Sequence, residues 1–337
     1  MKIVANGIQI KIEDSAPHSH PGGSADSPTG GSDLPVVLLI MGLGMQLIAW
    51  PPGFVRGLVN AGYRVVRFDN RDSGLSEHLH HHGKPNLVWQ GLKYKLGLTV
   101  KPPYSLRDMA QDALGVLDAL HIPKAHLVGV SMGGMVAQRA AIEAPERVLT
   151  LTSIMSSSGA RGLPSATPAV TRQMLSRPAV KKSTGNSTGH ANTDKAGASA
   201  LASQQAAIDH SVKLFQAIGS PGFPMDEAFL RERVTLATER SFNPNGVLRQ
   251  MMAIVGDDSR AMQLQTITAP TLVLHGKADP LVPFACGEDT ARRIPGARLV
   301  GIEGMGHDLP PGVVDRLLLE MLPHLGRART HTAAANA

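Results

Sequence analysis

Three residues in this chain have the types and order that acyl-transfer chemistry requires. Ser131 stands in "GVSMGG", Asp279 in "KADPLVP" and His307 in "MGHDLP". A serine hydroxyl is a weak nucleophile at neutral pH. It needs a base within hydrogen-bond reach, and the base needs a group that orients it. Asp279 and His307 lie about one helix plus one strand apart, so both would reach the same rim of a sheet as Ser131 if each follows a strand. Such a reaction also needs donors for a developing oxyanion. The backbone N–H of Met132, directly after the serine, is one candidate. Leu43 in "GLGMQ", after the apolar run "VVLLIM", is the other, and Gly42 before it keeps the backbone open. Trp50 follows that loop, where it would either wall an acyl pocket or pack in the core.

These positions depend on the elements around them. Eight short runs rich in Val, Ile and Leu have strand length: "IVA", "IQIKIE", "VVLLIM", "YRVVRFD", "AHLVGV", "VLTLTSIM", "TLVLHG" and "ARLVGIE". The middle runs are continuously apolar, as strands buried on both faces of a parallel sheet are. Helical patterns separate them at 54–61, 106–120, 132–143, 285–294 and 313–322, which predicts a mostly parallel eight-stranded sheet with helices on both faces. Only "NG" separates the first two runs, so that edge is expected to be an antiparallel hairpin. The alternation stops after about residue 156 and resumes near 268. The expected organisation is a core in two parts, 1–155 and 269–325, with an inserted helical cap at 156–268. Two Gly- and Ser-rich stretches, 15–33 and 181–200, read as flexible insertions, and 326–337 as a disordered tail. Ser131 thus sits on a tight strand-to-helix turn at the carboxyl end of a buried strand, the geometry of a nucleophile elbow.

Other residues have competing readings. Asp257 or Asp258 in "VGDDS" would serve as the acid if it has migrated from 279. Asp308 is too close to His307 along the chain to orient it. The histidines of "EHLHHHG" lack a regular metal-ligand spacing and read as a solvated loop. Asp69, Arg71 and Asp72 follow a strand and suit turn-stabilising hydrogen bonds. The methionines at 251, 252 and 262 would line a cap pocket or fill helix contacts.

Composition narrows the function class. The chain has 337 residues and a net charge of +6, but its basic residues are scattered and form no stripe interleaved with aromatics, which argues against nucleic-acid binding. No apolar run is long enough to span a membrane, and the first residues lack the apolar core of a secretory signal. The single cysteine, Cys286, excludes an intrachain disulfide and fits a cytoplasmic location. A homodimer is compatible with the sequence, which does not set the oligomeric state.

The phrases "LLIMGLGMQLIAWP", "RVVRFDNRDSGLSEH", "HLVGVSMGG", "PTLVLHGKADPLVP" and "IEGMGHDLP" resemble the α/β-hydrolase fold. Within that superfamily they are similar to a bacterial serine esterase branch that includes the aclacinomycin methylesterases. The resemblance implies a Ser131–His307–Asp279 triad, an oxyanion hole from Leu43 and Met132, a small-molecule ester substrate, and neither metal nor organic cofactor. Met41–Gly42 replaces the common His-Gly of the oxyanion loop. The loop also lacks the Gly-Gly-Gly of esterases that accept tertiary-alcohol esters. Perhydrolase, lactonase, amidase and carbon–carbon hydrolase chemistry share the scaffold. A receptor that keeps the fold and turns over slowly is the alternative of a different class.

Overall fold

The computed structural model describes residues 1–16, 34–86, 89, 90, 93, 96, 98, 100–176, 192–257 and 259–335. Its eight strands are β1 (Lys2–Ala5), β2 (Ile8–Asp14), β3 (Val36–Ile40), β4 (Arg64–Phe68), β5 (Ala125–Val130), β6 (Val148–Ile154), β7 (Thr271–Gly276) and β8 (Arg298–Ile302). Each coincides with one of the eight apolar runs. They form one sheet in the order β1-β2-β4-β3-β5-β6-β7-β8. β3 to β8 run parallel, while β2 pairs antiparallel with the edge at β4 and β1 pairs antiparallel with β2. Asn6 and Gly7 between β1 and β2 both have positive φ, 48° and 79°, as the type I′ hairpin turn requires.

β3, β5 and β7 are buried at every residue. The reason is visible in β3, whose side chains alternate between two separate apolar clusters. Leu38 and Ile40 join Leu127 and the inner faces of α2 (Leu106–Ala119) and α3 (Met132–Glu143). Val37 and Leu39 join Val128, Phe54 and Leu58 of α1 (Pro52–Asn60), and Val313, Leu317 and Met321 of the last helix. A strand covered on both faces has no polar side to show, so its sequence is a continuous apolar run. The start of α2 is fixed locally by a capping box, in which the Ser105 side chain accepts from the Asp108 N–H and the Asp108 carboxylate accepts from the Ser105 N–H.

Between β6 and β7 the described residues form α4 (Pro168–Leu175), α5 (Asn192–Ile218), α6 (Glu227–Arg240), α7 (Pro244–Val255) and the short α8 (Arg260–Gln263). α9 (Phe284–Arg293) and α10 (Pro311–Ala335) complete the core. Of the stretches expected to be flexible, 17–33 and 181–191 lie outside the described residues. Two expectations differ from the structure. Residues 192–200 belong to α5, where "DKAGASALASQQAA" supplies enough Ala and Gln to outweigh its Gly and Ser. The tail expected at 326–337 continues α10 to Ala335, because nothing after Gly326 in "RARTHTAAA" breaks a helix. Among the described residues no helix is long and apolar enough to cross a membrane.

Candidate active site

Ser131 occupies the one-residue turn between β5 and α3. Its φ of 55° and ψ of −120° lie in a region that L-residues avoid, at a cost of about 1–3 kcal/mol. The surroundings hold it there. Its N–H donates to the Ile154 carbonyl at 2.9 Å, and its carbonyl accepts from Ser156 Oγ at 2.7 Å. The glycines of "GVSMGG" permit the pinch. A Cβ on Gly129 would lie 2.1 Å from the Gly133 carbonyl oxygen, and one on Gly133 would lie 2.0 Å from that of Ile40. Both obstacles are backbone, which cannot swing away.

His307 reaches the serine from the loop after β8. Its Nε2 lies 3.0 Å from Ser131 Oγ, and its Nδ1 lies 2.7 Å from Asp279 Oδ2. Asp279 follows β7. Its other oxygen accepts the N–H groups of Leu281 and Val282 at 2.9 and 2.8 Å, so the carboxylate has one orientation. All three side chains are thus delivered by the carboxyl ends of β5, β7 and β8, and the structure joins them into one hydrogen-bonded line. His307 and Asp279 are both buried.

The alternative acids are committed elsewhere. Asp257 forms ion pairs with Arg139 and Arg260, and Asp258 lies outside the described residues. Asp308 accepts a hydrogen bond from Ser220 Oγ. Burial raises the Asp308 carboxyl above its usual range, against the lowering effect of the Ser220 bonds.

Met132 follows the serine directly, and Leu43 follows Gly42 in the loop after β3. A Cβ placed on Gly42 would sit 3.3 Å from Ser131 Cβ and 3.8 Å from its Oγ, so the loop faces the hydroxyl directly. Among the described residues, neither the Leu43 nor the Met132 N–H donates to a protein acceptor. The Met132 amide is also one of the unpaired donors at the start of α3. Trp50 is fully buried and stacks on Phe54 with ring centroids 5.1 Å apart, inside the core cluster that holds Met41.

Asp69, Arg71 and Asp72 hold turns and anchor the helical segment. Asp69 accepts the N–H groups of Leu47 and Leu75 and pairs with Arg240 of α6. Arg71 pairs with Asp112. Asp72 pairs with Arg249 of α7 at 2.6 Å, both fully buried. Burial would raise the Asp72 carboxyl, but Arg249, the Leu79 N–H and Tyr104 together hold it below the usual carboxylate range. In the histidine run, His80–His82 form a short exposed turn and His78 Nε2 lies 3.0 Å from the Gly74 carbonyl. Among the described residues no cluster of three or more His, Cys, Asp or Glu side chains suits a metal ion.

Several residues that touch this machinery were not apparent from motifs. His275, at the end of β7, donates from Nε2 to the Val282 carbonyl at 2.7 Å and so braces the loop of Asp279. Burial lowers the His275 imidazole and favours its neutral form. Ser220, in the link between α5 and α6, accepts the Gly306 N–H at 2.8 Å, next to His307, whose own N–H donates to the Ile218 carbonyl at 2.7 Å. Gln250 of α7 accepts the Gly44 N–H at 2.8 Å. The available sequence signal was a polar pair, Arg249–Gln250, inside an apolar helical stretch.

Comparison with known proteins agrees with this architecture. The sequence profile described as alpha/beta hydrolase fold matches residues 35–310. The chain is 30% identical over 316 residues to rhodomycin D methylesterase DauP of Streptomyces sp. (strain C5), covering 90% of this chain and 92% of that one. It is 29% identical over 320 residues to rhodomycin D methylesterase DnrP of Streptomyces peucetius, with the same shares, 90% and 92%. Among solved structures, the meta-cleavage product hydrolase CumD of Pseudomonas fluorescens IP01 superposes with a TM-score of 0.64 at 19% identity, over 97% of this chain and 98% of that one.

Proposed function

Because the chain belongs to the alpha/beta hydrolase fold family, we propose that it is a carboxylic ester hydrolase in which Ser131 is the nucleophile, His307 the base and Asp279 the orienting acid. The observation that carries this reading is the hydrogen-bonded line from Ser131 Oγ through His307, 3.0 Å, to Asp279, 2.7 Å. In the reaction, Oγ attacks the ester carbonyl while His307 Nε2 takes its proton. Asp279 fixes the Nδ1–H tautomer and stabilises the imidazolium that forms. The N–H groups of Leu43 and Met132 receive the oxyanion, each contributing about 3 kcal/mol to the transition state. His307 then passes the proton to the departing alcohol. A water deprotonated by the same imidazole attacks the acyl-enzyme, and Ser131 is released as the carboxylic acid leaves. Residues 156–268 act as a cap over this site, with the core in two parts at 1–155 and 269–325. The similarity to two methylesterases favours esters with a small alcohol, with recognition centred on the acid portion.

The test is hydrolysis of p-nitrophenyl and methyl esters of graded acyl length by the wild type and by Ser131→Ala. The expected result is a loss of about a thousandfold or more in the mutant. Activity that survives the substitution would remove Ser131 from the chemistry. Absence of wild-type turnover on every ester, with stoichiometric ligand binding instead, would favour a receptor.

A further inference from the structure

The loop Met41–Met45 has no regular secondary structure to hold the Leu43 N–H toward Ser131, so its geometry must be imposed by contacts. Three consecutive peptide planes matter. The middle one, between Gly42 and Leu43, carries the Leu43 N–H. The plane before it is held by Asn70, whose Nδ2 donates to the Met41 carbonyl at 2.8 Å. The plane after it is held by Gln250, whose Oε1 accepts the Gly44 N–H at 2.8 Å. The middle plane has a restraint of its own, since the Gly42 carbonyl accepts from the Met45 N–H at 3.1 Å. In a trans peptide the N–H points opposite to the carbonyl, so this contact aims the Leu43 N–H the other way.

Gln250 is suited to its part. It is fully buried. Its Nε2 donates to the Arg71 carbonyl at 2.7 Å and to Ser73 Oγ at 2.9 Å. A carbonyl can only accept, so the amide end facing Arg71 must be the NH2, and the end facing Gly44 must be the oxygen. The neighbouring Arg249 is locked to Asp72, which fixes α7 against the turn after β4. The side chain therefore has one orientation and little freedom.

We propose that Gln250 is a positioning residue for the oxyanion hole, reaching from the helical segment between β6 and β7 to set the angle of the Leu43 N–H. The inference rests on the reading of Leu43 as an oxyanion donor. It also makes docking of that segment a condition for an assembled site, beyond any part it has in binding substrate.

The test compares wild type and Gln250→Met on an ester and on the matching thionoester, whose sulfur is a poor hydrogen-bond acceptor. A misdirected donor should lower kcat on the ester about 10- to 100-fold, leave KM within about threefold, and shrink the ester-to-thionoester rate ratio by about tenfold. A purely structural role would reduce the folded fraction and slow both substrates equally. An unchanged ratio and an unchanged kcat per titrated site overturn the proposal. If Gln250→Met does not fold, amide hydrogen exchange of the wild type reads the contact directly. Slow exchange at Gly44 is expected, and an unprotected Gly44 amide overturns the proposal. Activity surviving in Ser131→Ala would instead sink the triad reading, so the two failures are separable.

Discussion

Replacing Asp279 by asparagine exchanges one oxygen for an NH2 with almost no change of shape. The structure dictates where that NH2 must go. Asp279 Oδ1 accepts from the N–H groups of Leu281 and Val282, at 2.9 and 2.8 Å, and an asparagine has to keep its oxygen there. The opposite orientation would set its NH2 against two donors. The NH2 therefore faces His307 Nδ1, at a position now 2.7 Å from a carboxylate oxygen. A donor there makes Nδ1 the acceptor and moves the imidazole proton to Nε2, the atom 3.0 Å from Ser131 Oγ. The base then points a proton at the nucleophile it should deprotonate. The expected loss in kcat/KM is about 10⁴-fold, or about 5 kcal/mol of barrier. Initial rates on p-nitrophenyl acetate and butyrate measure it. A thermal unfolding midpoint near that of the wild type confirms that the fold is intact, since both backbone hydrogen bonds survive. Asp257→Asn is the control. It loosens the pairing with Arg139 and Arg260, and should lower stability without lowering kcat per folded molecule. If Asp279→Asn keeps more than about a tenth of the activity, or if Asp257→Asn loses as much as Asp279→Asn, the assignment of the acid is wrong.

Other consequences are open to direct measurement. Gly133→Ala places a Cβ 2.0 Å from the Ile40 carbonyl oxygen and should destabilise the protein by about 3 kcal/mol or more, read by denaturant unfolding; a midpoint equal to wild type would refute the close-approach argument for the elbow. Arg249→Met leaves the Asp72 carboxylate buried without its cation, costing about 3–5 kcal/mol, and adding Asp72→Asn should recover part of that loss. Additive losses in the double mutant would contradict the pairing. His324 is buried in α10, and desolvation lowers its pKa to about 4 from an ordinary 6.5. Between those values the unfolded chain binds a proton that the folded protein does not, so stability falls as pH drops from about 6.5 to 4, by about 3 kcal/mol. His324→Leu should flatten that part of the stability profile, and an unaltered slope would rule out His324 as its source.

The sequence by itself determined the eight strands, the elbow and the residues beside it. Those signals are local. A strand buried on both faces reads as a nearly continuous apolar run, and a turn as tight as that of Ser131 admits only glycine at the points where backbones meet. The chain order of Ser131, Asp279 and His307 was legible for the same reason, because each follows a strand end that can be read without knowing what lies beside it. Tertiary structure alone decided which partners those residues meet. Asp279 and Asp257 each follow an apolar stretch, and only the sheet order, with β7 and β8 on the same side of β5, brings the first to His307 and leaves the second to Arg139 and Arg260. The tail and the end of the second Gly- and Ser-rich stretch were misread because composition resembling a linker also carried enough alanine for helix. Gln250 and Ser220 were hidden for a different reason. On a helix or a turn a polar side chain reads as solvent-facing, and its burial against Gly44 or Gly306 depends on contacts with residues 206 and 86 positions away. Periodicity records which face of an element is buried, not which distant backbone group a buried amide or hydroxyl has been brought to satisfy.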